Sequence, residues 1–451
     1  MQGRLAVALS CFGLIADFYD IGIINLIRPL LQEEFGALTP AEDGVLTSAA
    51  LLGAIVGQIG CGCMADRLGR RAIFLSTASL VAFASLGSAF ADHTALFGLS
   101  MYSSLSLWRF VLGVGIGGEY PLAAAATSEN VASEFSTMAL AMTYSGMALG
   151  CLLAPTVVIC LLGPFGLENS IVWRLALGLG SVWAGLVAIL RYFHLKETEG
   201  WERVASEAPT VTHFEHASAL MAMPRTVLGT AGSWLLYDVV AYGVGLFTTE
   251  IFPALPGMGS SMVVLLISIL GLPFYVGTIF ISRFPLKMVQ FYGFLIMFFC
   301  FLLLASPFSL GNFWFGALVF SLMQGTSSMC PGLSTFAIPG QVYPVRIRGT
   351  GHGLSAAAGK LGAVIGTVAF PFLRAAVGMN GTMFFMAFTC VATAVWTWIF
   401  TPRYDCEVLD EIMALDQVPS VTEQATKVEA LLFAESVWPD SIGKAGWQHH
   451  K

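Results

Sequence analysis

The chain is a succession of apolar runs, most near 20 residues long, separated by polar stretches. An α-helix crosses the hydrocarbon core of a bilayer in about 20 residues, so each run has the length of one crossing. The runs fall at 5–31, 44–65, 72–91, 103–127, 137–163, 171–193, 226–252, 262–282, 289–309, 312–337, 351–376 and 382–401. The longest interruption, 194–225, is polar and charged and divides them six and six. The pattern predicts an all-α membrane protein with twelve transmembrane helices. A six-helix bundle is expected over 1–193, a cytoplasmic loop over 194–225, a second six-helix bundle over 226–401 and a cytoplasmic tail over 402–451. The tail is expected to be partly disordered, with a short amphipathic helix at Cys406–Leu415. The first run is too long for a cleaved signal peptide and has no clear small-residue cleavage site.

Basic residues set the orientation. Arg67, Arg70 and Arg71 follow the second run, Lys196, Arg203 and Arg225 lie in the central loop, and Arg283, Lys287, Arg346 and Arg348 occupy the later loops on the same side. The alternate loops Gln32–Asp43 and Ala91–Tyr102 carry neither Lys nor Arg. Both termini are therefore expected in the cytoplasm.

Only 11% of residues are charged, against about 25% in an ordinary soluble domain. The net charge of -7 says little about partners, since much of the acid lies in the tail and polar loops. Most of the nine cysteines lie in apolar runs, and Cys61-x-Cys63 has no second pair or histidine cluster to complete a metal site. No Ser-His-Asp, zinc or nucleotide motif is present. An enzyme, a bound cofactor or metal, and a nucleic-acid partner are not expected.

Ionisable residues inside the apolar runs carry the candidate chemistry, because a charge at membrane depth persists only where it faces protein or water. Trp108–Asn130 contains Arg109 and Glu119 beside Gly113, Gly115, Gly117 and Gly118, which let neighbouring helices approach, and Pro121, which bends the helix. Asp17 and Asp20 stand three residues apart on the first run and face one way. Trp234, Asp238 and Tyr242 recur every four residues on the seventh, presenting two aromatic donors around an acid. An interfacial aromatic belt is the plain alternative there, and Asp238 argues against it. Lys360 lies in a small-residue helix and is expected to face a cavity rather than snorkel. A faint repeat links Tyr19-Asp20-Ile21 to Tyr237-Asp238-Val239, as in transporters whose halves surround a midplane site.

These motifs, in this order, resemble the phosphate:proton symporter family of the major facilitator superfamily. Gly62-x3-Asp66-Arg67-x-Gly69-Arg70-Arg71 matches the superfamily's loop signature, and Gly117-Gly118-Glu119-Tyr120-Pro121 is similar to the family's fourth helix, with Glu in place of Asp. The Trp234/Asp238/Tyr242 pattern, Asp17-x-x-Asp20 and the block from Phe336 to Gly362 look like the same family. The resemblance implies two pseudo-symmetric six-helix bundles around a central cavity and symport of inorganic phosphate with a proton by alternating access. It implies a multi-pass protein, residence in the plasma membrane and a monomer. Tyr120, Ser145, Trp234, Asp238, Tyr242 and Lys360 would meet the substrate. Asp17, Asp20 and Glu119 would carry the proton. Asp66, Arg67, Arg70, Arg71 and Glu129 would form a cytoplasmic gate, with Glu129 pairing with Arg70 or Arg71.

Three departures from the family stand out. Ser145 replaces a Gln before Gly146, Gly332 replaces an Asn after Cys330-Pro331, and Ser282 and Gln341 replace the two acids of the second half's cytoplasmic charge network. The first two leave room for a bulkier anion, such as the phosphodiester glycerophosphoinositol. The third implies a weaker inner gate. A transport-silent nutrient sensor is the reading from another class, and the short loop and tail argue against it.

Overall fold

A computed structural model describes residues 2–91, 98–207, 211–252, 260–306 and 312–434. Among the described residues, ten helices are long and apolar enough to cross a membrane. The last, Val345–Phe400, is two helices joined at Gly378, whose φ of 70° leaves the helical path. One more crosses at 313–342, interrupted by a π-turn at Ser328–Gly332. The chain therefore makes twelve crossings, as its apolar pattern predicts. It is an all-α, multi-pass membrane protein.

The first six crossings are α1 (Gln2–Phe35), α2 (Pro40–Leu68), α3 (Arg70–Ala89), α4 (Met101–Ser128), α5 (Ser133–Leu162) and α6 (Asn169–His194). Two short helices follow, α7 (Glu199–Glu207) and α8 (His213–Met221). The second six are α9 (Pro224–Gly245), α10 (Ser260–Ile281), α11 (Leu286–Leu304), α12 (313–342), α13 (348–377) and α14 (379–400). Two helices end the described chain, α15 (Cys406–Ala414) and α16 (Val421–Ala434). Two helix starts carry capping boxes, Thr39 with Glu42 on α2 and Thr212 with Glu215 on α8.

Lipid tails offer no hydrophobic reward for helix association, so close packing must come from small residues. Gly53 and Gly57 of α2 meet Gly113 and Gly117 of α4 in this way. A Cβ at any of the four would lie 2.0–2.3 Å from a carbonyl oxygen of the facing helix. Contacts between the halves include α2 against α13, where Gly62 and Gly349 pack backbone to backbone, and α5 against α10.

The central loop and tail are more ordered than the sequence suggests. α7, α8, α15 and α16 lie over the end of the bundle that carries Arg67, Arg70 and Arg71, called here the basic end. Ser133 at the start of α5 donates to Asp410 on α15 (2.6 Å), and Glu429 on α16 accepts the Arg225 N–H at the start of α9 (2.8 Å). Through 434 the expected disorder is replaced by two packed helices, and 435–451 lie outside the described residues.

Candidate functional site

Between the halves lies a cavity of ≈ 230 Å³, walled by α1, α4, α5, α9, α10, α12 and α13. Its centre is a buried charge cluster. Lys360 Nζ on α13 donates to Asp238 Oδ2 (3.1 Å) and to Tyr242 Oη (2.8 Å), both on α9. The four-residue spacing of Asp238 and Tyr242 puts both groups on the face that meets α13. The ammonium also lies 4.2 Å from the Tyr242 ring centroid and 5.5 Å from that of Tyr120. Trp234 packs against Tyr120 at 6.3 Å between centroids. Beyond this cluster the wall is phenolic: Tyr144, Tyr237 and Tyr275 join Tyr120 and Tyr242. Tyr237 donates to the Ser327 carbonyl (3.3 Å), and Ser328 donates to Tyr275 (3.1 Å). The π-turn displaces the backbone here, and the Ser327 carbonyl is in reach of the Tyr237 side chain.

The buried acids Asp17, Asp20 and Glu119 lie inside the first half and do not line this cavity. Glu119 on α4 is clamped by Arg191 on α6. One oxygen accepts Nη1 (2.7 Å) and the Thr77 hydroxyl (2.6 Å), and the other lies 2.7 Å from Nη2. The guanidinium covers the Phe74 ring at 3.5 Å, and a Cβ at Gly13 would collide with it. Asp20 accepts the Ser85 hydroxyl (2.9 Å) and packs against Gly180, while Arg109 donates to its backbone carbonyl (2.6 Å). Asp17 makes no ion pair among the described residues, and its Oδ2, like Oδ1 of Asp20, has no hydrogen-bond partner there.

At the basic end, Asp66 and Glu129 tie α2, α3, α4 and α13 together. Asp66 accepts the Gly349 and Thr350 N–H groups (2.9 and 2.7 Å) and the Thr350 hydroxyl (2.7 Å), so it caps the first turn of α13 from the opposite half. Arg70 pairs with Asp66 (3.0 Å) and Glu129 (3.0 Å), and donates to the Val345 carbonyl (2.7 Å). Arg348 also reaches Glu129 (3.6 Å). Arg71 grips the end of α6 through the Leu195 carbonyl (2.8 Å), and Arg67 donates to His213 on α8 (2.6 Å). Gly69 joins α2 to α3 in a one-residue turn at φ 98°, and a Cβ there would collide with the Glu197 carboxylate that receives the Arg70 and Arg71 N–H groups.

The second half's counterpart of this network is neutral. Gln341 donates to Ser136 (2.9 Å) and Thr137 (3.0 Å) on α5 and accepts from Tyr404 (2.8 Å); Ser282 donates only to its own helix. Without charge these links are worth about 1 kcal/mol each. Gln341→Ala is expected to open the basic end, measured as a several-fold faster reaction of Cys151, a cavity thiol, with a reagent supplied from that side. Ser282→Asp and Gln341→Glu are expected to shift the same rate. A rate unmoved by all three variants would reject the weakened gate.

The structure thus brings together Tyr120, Trp234, Asp238, Tyr242 and Lys360. It does not bring Ser145 to the cavity: its hydroxyl meets Thr278 (2.8 Å) and donates to the Tyr275 carbonyl (2.9 Å) at the α5–α10 seam. Asp17, Asp20 and Glu119 are likewise displaced into the first half's own core, because Arg109 and Arg191 hold two of them there. The Tyr-Asp repeat does not mark equivalent places, since Asp238 lines the cavity and Asp20 is enclosed. Sequence reasoning missed Tyr144, Tyr237, Tyr275, Gln324 and Arg191. Tyr144 adjoins Ser145, and Tyr237 adjoins Asp238. Arg191 sits in the last turn of α6, where a basic residue reads as a helix-end anchor.

The profile of the Major Facilitator Superfamily matches residues 10–339. The chain is 29% identical over 469 residues to a protein named probable inorganic phosphate transporter 1-6 from Arabidopsis thaliana, covering 85% of this chain and 88% of that one. It is 26% identical over 460 residues to a repressible high-affinity phosphate permease from Neurospora crassa, covering 83% and 79%. Among solved structures, the proton:xylose symporter XylE bound to 6-bromo-6-deoxy-D-glucose superposes with a TM-score of 0.75 at 17% identity, over 91% of this chain and 99% of that one. The human organic anion transporter MFSD10 does so with a TM-score of 0.66 at 17% identity, over 88% and 100%. With a profile match over most of its length and twelve crossings in two packed halves, this chain belongs to the Major Facilitator Superfamily.

Proposed function

We propose that the chain is a proton-coupled symporter of inorganic phosphate that works by alternating access. The observation that carries this reading is the Lys360–Asp238–Tyr242 cluster, a charge pair with phenolic donors in a chamber between the two halves. The likeness to proteins named phosphate transporters supports it. Lys360 and Asp238 sum to no net charge. Such a site favours an oxyanion that brings its own proton: the phenols and Lys360 donate to its oxygens, and Asp238 accepts its O–H. Tyr120, Trp234, Asp238, Tyr242 and Lys360 are the proposed substrate contacts.

Counting charges assigns the proton. Away from the Asp66–Arg70 pair of the basic end, three buried acids of the first half, Asp17, Asp20 and Glu119, face two buried bases, Arg109 and Arg191. Glu119 is held by Arg191 and the Asp20 carboxylate accepts the Ser85 hydroxyl, so we assign the proton to Asp17, which makes no ion pair among the described residues. Its protonation removes a negative charge close to an incoming anion, so proton and anion favour the same loaded state. The Asp66–Arg70–Glu129 network, with Arg67 and Arg71, closes the basic end, which we place in the cytoplasm with both termini. The protein works as a monomer, and in the plasma membrane in this reading. The competing phosphodiester reading needs free space at Ser145 and Gly332. Ser145 is occupied at the α5–α10 seam, and the Tyr144 ring reaches the gap at Gly332.

The test is uptake of radiolabelled phosphate into proteoliposomes with an imposed pH gradient. Accumulation is expected, with competition by arsenate and at least about a hundredfold weaker competition by sulfate, which has no proton to offer Asp238 at neutral pH. No accumulation, or sulfate competing as well as arsenate, would refute the reading.

A further inference from the structure

We propose that Tyr144 is a substrate-contacting donor seated by Gly332, and that the pair restricts the cavity to an oxyanion without an organic substituent. The inference rests on the reading of the cavity as the phosphate site, and it names a residue and a selectivity which that reading lacks.

Tyr144 and Gly332 come from opposite halves and occupy one volume. A Cβ added at Gly332 would lie 2.1 Å from the Tyr144 hydroxyl oxygen and 2.9 Å from that of Tyr237. Non-bonded carbon and oxygen do not approach so closely, so any other residue at 332 evicts the Tyr144 hydroxyl from its place. Gly332 is held there by the π-turn at Ser328–Gly332, whose backbone has little freedom beside Pro331. The Tyr144 ring is equally fixed. It stacks on Tyr275 (6.2 Å between centroids, 24° between planes) and leans on Phe336 (5.8 Å). Its hydroxyl and that of Tyr237 both border Gly332. Tyr144 lines the cavity. With the ring pinned, only the O–H bond needs to turn to meet an anion oxygen, which costs almost no rotamer entropy.

Selectivity follows from volume. The corner between α5 and α12, where Gly332 contributes no side chain, is filled by the phenol of Tyr144. A bare tetrahedral anion needs only the remaining chamber. An esterified one must place its substituent against a wall of aromatic rings. The side chain absent at 332 therefore does not enlarge the site.

The experiment uses the full chain in proteoliposomes, each variant first shown to be monodisperse, with labelled phosphate uptake and glycerol 3-phosphate as competitor. Wild type is expected to be inhibited by arsenate and indifferent to a hundredfold excess of glycerol 3-phosphate. Tyr144→Phe, which removes one oxygen, should raise the KM for phosphate about tenfold. Gly332→Ala should lower uptake by a similar factor or more. Adding Tyr144→Phe to Gly332→Ala should raise uptake again, because the oxygen that collides with the new methyl is gone. Tyr144→Ala should make uptake sensitive to glycerol 3-phosphate. The inference is overturned alone if wild type accumulates phosphate but Gly332→Ala transports normally, if the two substitutions simply compound, or if wild type is already blocked by the ester. Absence of phosphate accumulation by wild type would overturn the functional reading and this inference with it.

Discussion

Lys360→Met should reduce phosphate uptake to background, a loss of at least about a hundredfold, and should also destabilise the fold. The two effects have separate causes. Lys360 gives the chamber its positive charge and divides its hydrogens between Asp238 and Tyr242. Without it the anion loses its charge-assisted donor, and the Asp238 carboxylate repels what remains. Stability suffers because the side chains of Lys360 and Asp238 are 3% and 2% exposed, so removing one partner strands the other. Breaking a buried pair in this way costs about 3–5 kcal/mol. Lys360→Met combined with Asp238→Asn removes both charges and should recover most of the lost thermal stability, since a buried pair contributes little net of desolvation. Uptake should stay at background in the double variant. Uptake by Lys360→Met within about twofold of wild type would remove Lys360 from the site. A double variant no more stable than the single would show that the pair is not the source of the destabilisation.

The same cluster shows what could be read from the chain without coordinates. The twelve crossings were legible because a bilayer imposes one length on every helix, and the basic end was legible because arginines fall on alternate loops. Trp234, Asp238, Tyr242 and Lys360 were legible because an ionisable group at membrane depth needs a reason, and a shared helix face supplies one. Arg191 defeats that logic. A base one turn from the end of α6 has a ready explanation as an interfacial anchor, yet here it is 1% exposed and folded back onto Glu119 and Phe74. Helical periodicity says which residues share a face, but not which of two neighbouring helices that face meets. The shared face of Asp17 and Asp20 does not reveal that α1 turns it toward α4 and α6 rather than toward the central cavity. Tyr144 and Gly332 defeat it differently. A glycine in place of a polar side chain reads as added room until the residue that fills the room is seen, and that residue comes from α5, almost 190 positions earlier in the chain. Contacts between the two halves are the part of the site that a single sequence expresses least.

The separation of the three buried acids leads to the second large effect. Asp17→Asn should abolish accumulation of phosphate driven by a pH gradient while leaving exchange of internal for external phosphate largely intact. The asparagine mimics the protonated acid permanently, so the anion can bind and the halves can rock, but no proton leaves with it and the gradient performs no work. The measurement pairs two assays on one preparation: net uptake under a pH gradient, and counterflow with equal pH on both sides. Glu119→Gln should behave in the opposite manner. It leaves the Arg191 guanidinium, pressed on Phe74, without its carboxylate, and the expected outcome is a loss of about 3–5 kcal/mol of stability. Replacing Arg191 by methionine in the same chain should recover part of that loss. If Asp17→Asn still concentrates phosphate, or if Glu119→Gln is stable and uncoupled, then the proton travels on Glu119 and the charge count that singles out Asp17 is wrong. Asp20→Asn discriminates further: with Ser85 as partner and Arg109 bound to its backbone rather than its carboxylate, it should weaken transport without separating uptake from exchange.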